Sequence, residues 1–175
     1  MRDFTKFVGE YFKGKNLSGA EIGVFRGDNA NEIFIHVKPT LLVLVDCWHP
    51  LGLGHFDGDD KGESERNFLA TYKLHVNNKE VIIIKGWSGE VSQLLQGFRF
   101  DFIYIDGNHC YLNCKEDLVN WFPLVKKGGI FGGHDYNMDG VKQAVGEIFP
   151  NQKVNSLIQI GEGIAGVDWW FVKEK

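Results

Sequence analysis

Proline is scarce in this sequence: 4 of 175 residues, against a usual share of about 5%. Glycine is not, and its 22 copies approach twice the usual share of roughly 7%. Glycine excess without proline excess excludes a disordered linker composition and points to a packed domain that repeatedly needs tight turns or close backbone approach. Cysteine is equally sparse. Cys47, Cys110 and Cys114 form no CxxC pair, and an odd count suits a reducing compartment, so a cytoplasmic location is expected. No apolar run reaches the ~18 residues of a membrane span, and the Met1-Arg2-Asp3 start carries no signal-peptide core. A basic stripe is also missing, which argues against duplex nucleic acid as a partner. The net charge is −4, and three of those charges come from one window, where Asp57, Asp59, Asp60, Glu63 and Glu65 face only Lys61 and Arg66.

What is present is a regular alternation. The length fits one domain over residues 1–175. Phe4, Phe7, Val8, Tyr11 and Phe12 recur at helical spacing and predict an N-terminal helix within 1–15. Ala20–Val24 reads as a strand, Gly27-Asp28-Asn29 as a turn and helix cap, and Pro39 as the end of that helix. Continuous apolar runs at Leu41–Val45 and Val81–Ile84 predict strands covered on both sides, with a helix bearing Phe68, Leu69, Tyr72 and Val76 between them. Ser88 is placed to cap a further helix. Asp101–Asp106 and Ile130-Phe131 complete five strands, with helices around Cys114–Trp121 and after Asp139.

Strands and helices in strict alternation mean an α/β fold: a doubly wound, mostly parallel, Rossmann-like sheet. The final apolar segments, Val154–Ile160 and Val167–Val172, are joined by Gly161-Glu162-Gly163 without a helix, so they are expected as an antiparallel terminal hairpin on the sheet edge. Of Trp169 and Trp170, one is expected in the core and the other is a candidate contact in a homodimer. Residues 47–66 read as a mobile acidic loop, a candidate substrate cover with Trp48 and Phe56 as apolar contacts.

Ligands of such sheets bind outside the carboxyl ends of the strands. The residues there are Glu21 to Gly27, Asp46, Gly86-Trp87-Ser88, Asp106-Gly107-Asn108-His109 and Gly132-Gly133-His134-Asp135-Tyr136. The first turn is Gly-x-x-x-Gly and lacks the second, close glycine that brings a backbone to a dinucleotide pyrophosphate. That counts against an NAD(P)-binding oxidoreductase, the alternative on the same architecture; a non-catalytic cofactor-binding module is the third reading. Glu21 would repel a pyrophosphate but suits a cationic ligand. Asp46 lies 23 positions after Gly23, near the spacing of an acid that accepts from ribose hydroxyls; an acid after a strand is also a common helix cap.

The stretch Ala20-Glu21-Ile22-Gly23-Val24-Phe25-Arg26-Gly27 resembles the first motif of class I S-adenosylmethionine-dependent methyltransferases. Phe102 to Tyr111, continuing through Asp117-Leu118, Trp121 and Lys127-Gly128-Gly129 to His134-Asp135-Tyr136, resembles the small O-methyltransferases that include macrocin-type, catechol-type and cephalosporin-hydroxylase-like proteins. The resemblance implies methyl transfer to a small hydroxylated molecule such as a sugar, phenol or natural-product glycoside. By the same resemblance Gly23 and Gly27 bound the turn around the methionine moiety, with Glu21 behind it. Asp46 would hold the ribose, Trp48 would flank the adenine, and Ser88 would lie near it.

Asp106 and Asp135 match positions that bind a divalent metal in metal-dependent members, with His134 as a candidate third ligand. His109 falls close to the general base of the catechol-type enzymes, which carry Asp-Asn where this chain has His134-Asp135-Tyr136. Two carboxylates and an imidazole suit Mg²⁺ or Mn²⁺, which would lower the pKa of an attacking hydroxyl. Two readings stand here. Either a metal joins these residues, or Asp106 orients the cofactor's ammonium while His134 and Asp135 bond each other. His109 and His134 are both candidate bases, since imidazole titrates near neutral pH.

Overall fold

Side chains alternate between the two faces of a strand, and here the alternation builds two cores on one sheet. In this computed structural model the described residues are 1–49, 61–156 and 166–174. The strands are β1 (Ser18–Ile22), β2 (Leu41–Asp46), β3 (Val81–Lys85), β4 (Phe100–Ile105), β5 (Val125–Gly133), β6 (Asn155–Ser156) and β7 (Trp169–Val172). The helices are α1 (Asp3–Tyr11), α2 (Asp28–Val37), α3 (Lys61–His75), α4 (Ser88–Leu94), α5 (Tyr111–Trp121) and α6 (Asp139–Ile148). Sheet order is β3-β2-β1-β4-β5-β7-β6, parallel from β3 to β5. The expected doubly wound α/β sheet is therefore present.

Leu42, Leu44, Phe102, Tyr104 and Ile130 pack with Phe4, Val8, Ala30 and Ile33 of α1 and α2 on one face. Val43, Val45, Ile103, Ile105 and Phe131 pack with Leu118, Trp121, Val141 and Val145 of α5 and α6 on the other. Each fully buried aliphatic or aromatic side chain contributes roughly 1.5–3 kcal/mol of transfer free energy. No described helix is long and apolar enough to cross a membrane.

Three expectations are corrected. β3 is an edge strand rather than one covered on both faces, and Ile82 is 47% exposed. The antiparallel pair expected at the sheet edge is present, with β7 between β5 and the edge strand β6 and antiparallel to both. Consequently Trp169 and Trp170 are both buried, in opposite cores, and neither is available as a dimer contact. The loop expected over 47–66 ends at Lys61, because 61–66 are the first turns of α3. Residues 50–60, with Phe56, lie outside the described residues, as do 157–165 of the expected hairpin.

Candidate active site

The first turn leaves β1 at Gly23, whose φ is +85°; a Cβ there would stand 2.2 Å from the Asp106 carbonyl oxygen. Only glycine lets the β1 and β4 ends approach this closely. Gly27, at φ +83°, sits at the N-terminus of α2. The Asp46 carboxylate accepts from the backbone N–H of Val24 at 2.8 Å, Phe25 at 2.9 Å and Trp48 at 2.8 Å. Asp46 thus caps no helix; it braces the turn from the neighbouring strand, and three of its roughly four acceptor positions are in use. Trp48 is buried, donating Nε1–H to the Phe25 carbonyl at 2.8 Å with its ring edge-on to Phe68.

Glu21 is 1% exposed. Its Oε1 accepts from Asn29 Nδ2 at 3.0 Å, while Oε2 has no hydrogen-bond partner among the described residues. Burial pushes this carboxyl up to about 8, against the Asn29 bond. Asn29 therefore serves Glu21, and the α2 terminus has no side-chain cap.

Ser88 likewise does not cap its helix. Its hydroxyl donates to Asp117 Oδ1 at 2.5 Å, tying α4 to α5. Burial pushes the Asp117 carboxyl up to about 6, with the Ser88 bond acting in the opposite sense.

The ends of β4 and β5 bring the expected acids and imidazoles together. Asp106 N–H donates to the Ile22 carbonyl at 2.7 Å and His134 N–H to the Ile105 carbonyl at 3.0 Å, which locks three strand ends side by side. His109 Nε2 lies 2.7 Å from Asp135 Oδ2. His134 Nδ1 lies 3.1 Å from the same oxygen and 3.6 Å from Asp106 Oδ1. Burial alone would raise the Asp135 carboxyl, but bonds from both histidines outweigh it and hold the group well below the usual carboxylate range. Its carboxylate contact raises the His109 imidazole, against burial. Burial raises Asp106, opposed by Arg2 and His134. Asp135 takes φ +56°, a left-handed conformation that aspartate tolerates better than most residues.

Ligand atoms of Asp106, His134 and Asp135 lie within 4.8 Å of one another, the one such group among the described residues. Oxygen, oxygen and imidazole nitrogen are a fitting donor set for Mg²⁺ or Mn²⁺.

Four residues at the site have roles the sequence reading did not assign. Arg2 Nη1 donates to Asp106 Oδ2 at 2.6 Å and to the Tyr104 hydroxyl oxygen at 2.7 Å. Asp168 is buried, accepting from Tyr104 at 2.6 Å and from the Phe4 N–H at 2.8 Å, and its Oδ1 lies 4.0 Å from His134 Nε2. Asn29 and Asp117 are the others. An acid directly before the apolar run Trp169–Val172 was the one visible signal for Asp168; Arg2 offered none.

A cavity of about 930 Å³ joins these parts, reaching from Glu21 and Gly23 past Asp46 and Trp87 to Asp106 and His109. It is large enough for a drug-sized ligand with a second molecule beside it. His109 lines it, whereas His134 does not.

Comparison with known proteins follows this geometry. Residues 20–136 match the family described as a methyltransferase domain. An O-methyltransferase from Bacillus cereus, solved with SAH, superposes with a TM-score of 0.68 at 16% identity, over 97% of this chain and 78% of that one. The calicheamicin methyltransferase CalS11 superposes at 0.69 with 11% identity, over 97% and 77%. The O-methyltransferase NovP does so at 0.65 with 18% identity, over 98% and 80%. No curated protein shows significant sequence similarity to this chain. At these identities the superpositions speak for the fold, and the family match covers most of the chain. The chain belongs to the methyltransferase domain family, built on the fold of the class I S-adenosylmethionine-dependent methyltransferases.

Proposed function

We propose that this chain transfers the methyl group of S-adenosylmethionine to a hydroxyl of a small molecule, a sugar, phenol or natural-product glycoside. The observation that carries the reading is His109, which lines a cavity that also holds Glu21 and the Gly23 turn and has Asp135 at 2.7 Å behind it. A buried carboxylate with one free oxygen suits the cofactor's ammonium or sulfonium, and disfavours a dinucleotide pyrophosphate. The Gly23–Gly27 turn would hold the methionine moiety, and the remaining acceptor position of Asp46 the ribose. Trp48 and Ser88 would stand near the adenine.

Methyl transfer is an in-line displacement: the acceptor oxygen bonds to the methyl carbon as the carbon–sulfur bond breaks. The protein must align the two and take one proton. His109 is the residue for that proton, because it lines the cavity while Asp135 stabilises the imidazolium that forms. His134, enclosed by Asp106, Asp135 and Asp168, is better placed to orient them. Asp106, Asp135 and His134 would hold a divalent ion. When bound, such an ion polarises the acceptor hydroxyl.

Calorimetry with S-adenosylhomocysteine tests the cofactor half directly. Absence of binding at millimolar ligand, or binding indifferent to Asp46→Ala, would sink the reading. Labelled methyl transfer to a panel of hydroxylated acceptors tests the other half, and a tight binder with no acceptor would be a non-catalytic module.

A further inference from the structure

We propose that Arg2 is a resident counter-cation of the acidic cluster, and that a divalent ion and the Arg2 contact compete for Asp106. The inference rests on the Asp106/His134/Asp135 ligand set of the reading above. Arg2 itself belongs to no motif of that reading.

The guanidinium reaches this place through packing. Arg2 immediately precedes α1, and Phe4, two residues on, is fully buried with its ring centroid 4.7 Å from that of Tyr104. The Phe4 N–H is held at 2.8 Å by Asp168, which also accepts a hydrogen bond from the Tyr104 hydroxyl. These contacts aim Arg2 into the cavity, where its Nη1 bridges Asp106 Oδ2 at 2.6 Å and the Tyr104 hydroxyl at 2.7 Å, with its guanidinium carbon 5.6 Å from the Tyr104 ring centroid.

Electrostatics sets the two against each other. Asp106 and Asp135 form one acidic locus with Asp168 beside it; the Arg2 guanidinium faces it from the chain before α1, and the imidazoles of His109 and His134 face it from the loop after β4 and the end of β5. A divalent ion on Asp106 would meet a guanidinium 2.6 Å from one oxygen of its own ligand. Two cations sharing one carboxylate repel each other in a half-buried site. Each therefore weakens the other's hold on Asp106. Arg2 is the partner that yields, since it precedes α1, whereas Asp106 is tied to the end of β1 through the Ile22 carbonyl.

The test measures Mn²⁺ binding by loss of the free-ion electron paramagnetic resonance signal, on the full chain. Arg2→Gln should bind Mn²⁺ at least about tenfold more tightly than wild type, the scale of one charge-assisted hydrogen bond. Adding Asp106→Asn should abolish the gain. By reciprocity, saturating Mg²⁺ should speed amide exchange at residues 4–6 of the wild-type chain, a measurement that needs no variant. Equal Mn²⁺ affinity in wild type and Arg2→Gln overturns the proposal. So does a gain that survives Asp106→Asn, or exchange at residues 4–6 that ignores Mg²⁺. S-adenosylhomocysteine binding by the same samples reports on the methyltransferase reading separately, so failure of one is told apart from failure of the other.

Discussion

Asn29 Nδ2 donates to Glu21 Oε1 at 3.0 Å and leaves Oε2 of the same buried carboxylate without a hydrogen-bond partner among the described residues. A first-turn helix residue therefore half-satisfies an acid at the end of β1 that lines the cavity. A buried acceptor left unpaired is costly, and a cationic ligand recovers that cost on binding.

Glu21 makes cofactor affinity depend on pH. Its carboxyl is pushed up to about 8, so near neutrality the ligand-free protein holds it mostly protonated. A cationic ligand favours the ionised form, so binding releases a proton, and affinity should rise from pH 6 to pH 8. Calorimetry in buffers of different ionisation enthalpy counts that proton. Glu21→Gln should remove the pH dependence and weaken S-adenosylmethionine binding by roughly 10–100-fold. A flat profile in the wild type would show that Glu21 does not meet the cation.

Asp117 governs stability at lower pH. Burial holds its folded-state carboxyl at about 6, above the ordinary value of 3.8. The folded state therefore resists its ionisation, and stability is lost as pH rises from about 4 to just above 6, by about 3 kcal/mol. Asp117→Asn keeps an acceptor for Ser88 and should lose this component. Urea titrations of both proteins from pH 4 to 7 measure the difference, and parallel curves would refute it.

Gly23→Ala should damage fold and site together. The new Cβ would stand 2.2 Å from the Asp106 carbonyl oxygen at a backbone φ of +85°. A loss of at least about 2 kcal/mol is expected, with S-adenosylhomocysteine binding reduced more than stability alone explains. Thermal unfolding and calorimetry on one preparation decide it.

His109→Gln separates chemistry from binding. Methyl transfer should fall by about 10²–10⁴-fold while S-adenosylhomocysteine affinity stays within about threefold. Retained turnover would move the base to another residue, with His134→Gln as the next variant to assay.

Much of this site was legible because it lies at strand ends. Periodicity located β1, β2, β4 and β5, and topology then requires Glu21, Asp46, Asp106 and Asp135 to share one edge. The uses of those residues were less legible. Asp46 looked like a ribose acceptor or a helix cap; it caps no helix, and it braces the first turn with an acceptor position to spare. Ser88 and Asn29 looked like caps, yet their side chains go to Asp117 and Glu21. A cap signature records a residue type beside a helix start; which acceptor that residue finds depends on what the sheet brings near.

By itself the sequence determined the α/β class, the parallel sheet, the edge where the cavity lies and the motifs shared with methyltransferases. The class, the sheet and its edge follow from local spacing, since hydrophobic period and turn residues act over a few positions, whereas the motifs speak through resemblance. Tertiary structure alone decided that β7 inserts beside β5 and buries both Trp169 and Trp170, and that β3 is an exposed edge. It also decided that Arg2 and Asp168, 166 positions apart, enclose Asp106, Tyr104 and His134. Strand order and long-range ion pairs depend on which surfaces meet when the sheet closes, and no periodicity in the chain encodes that.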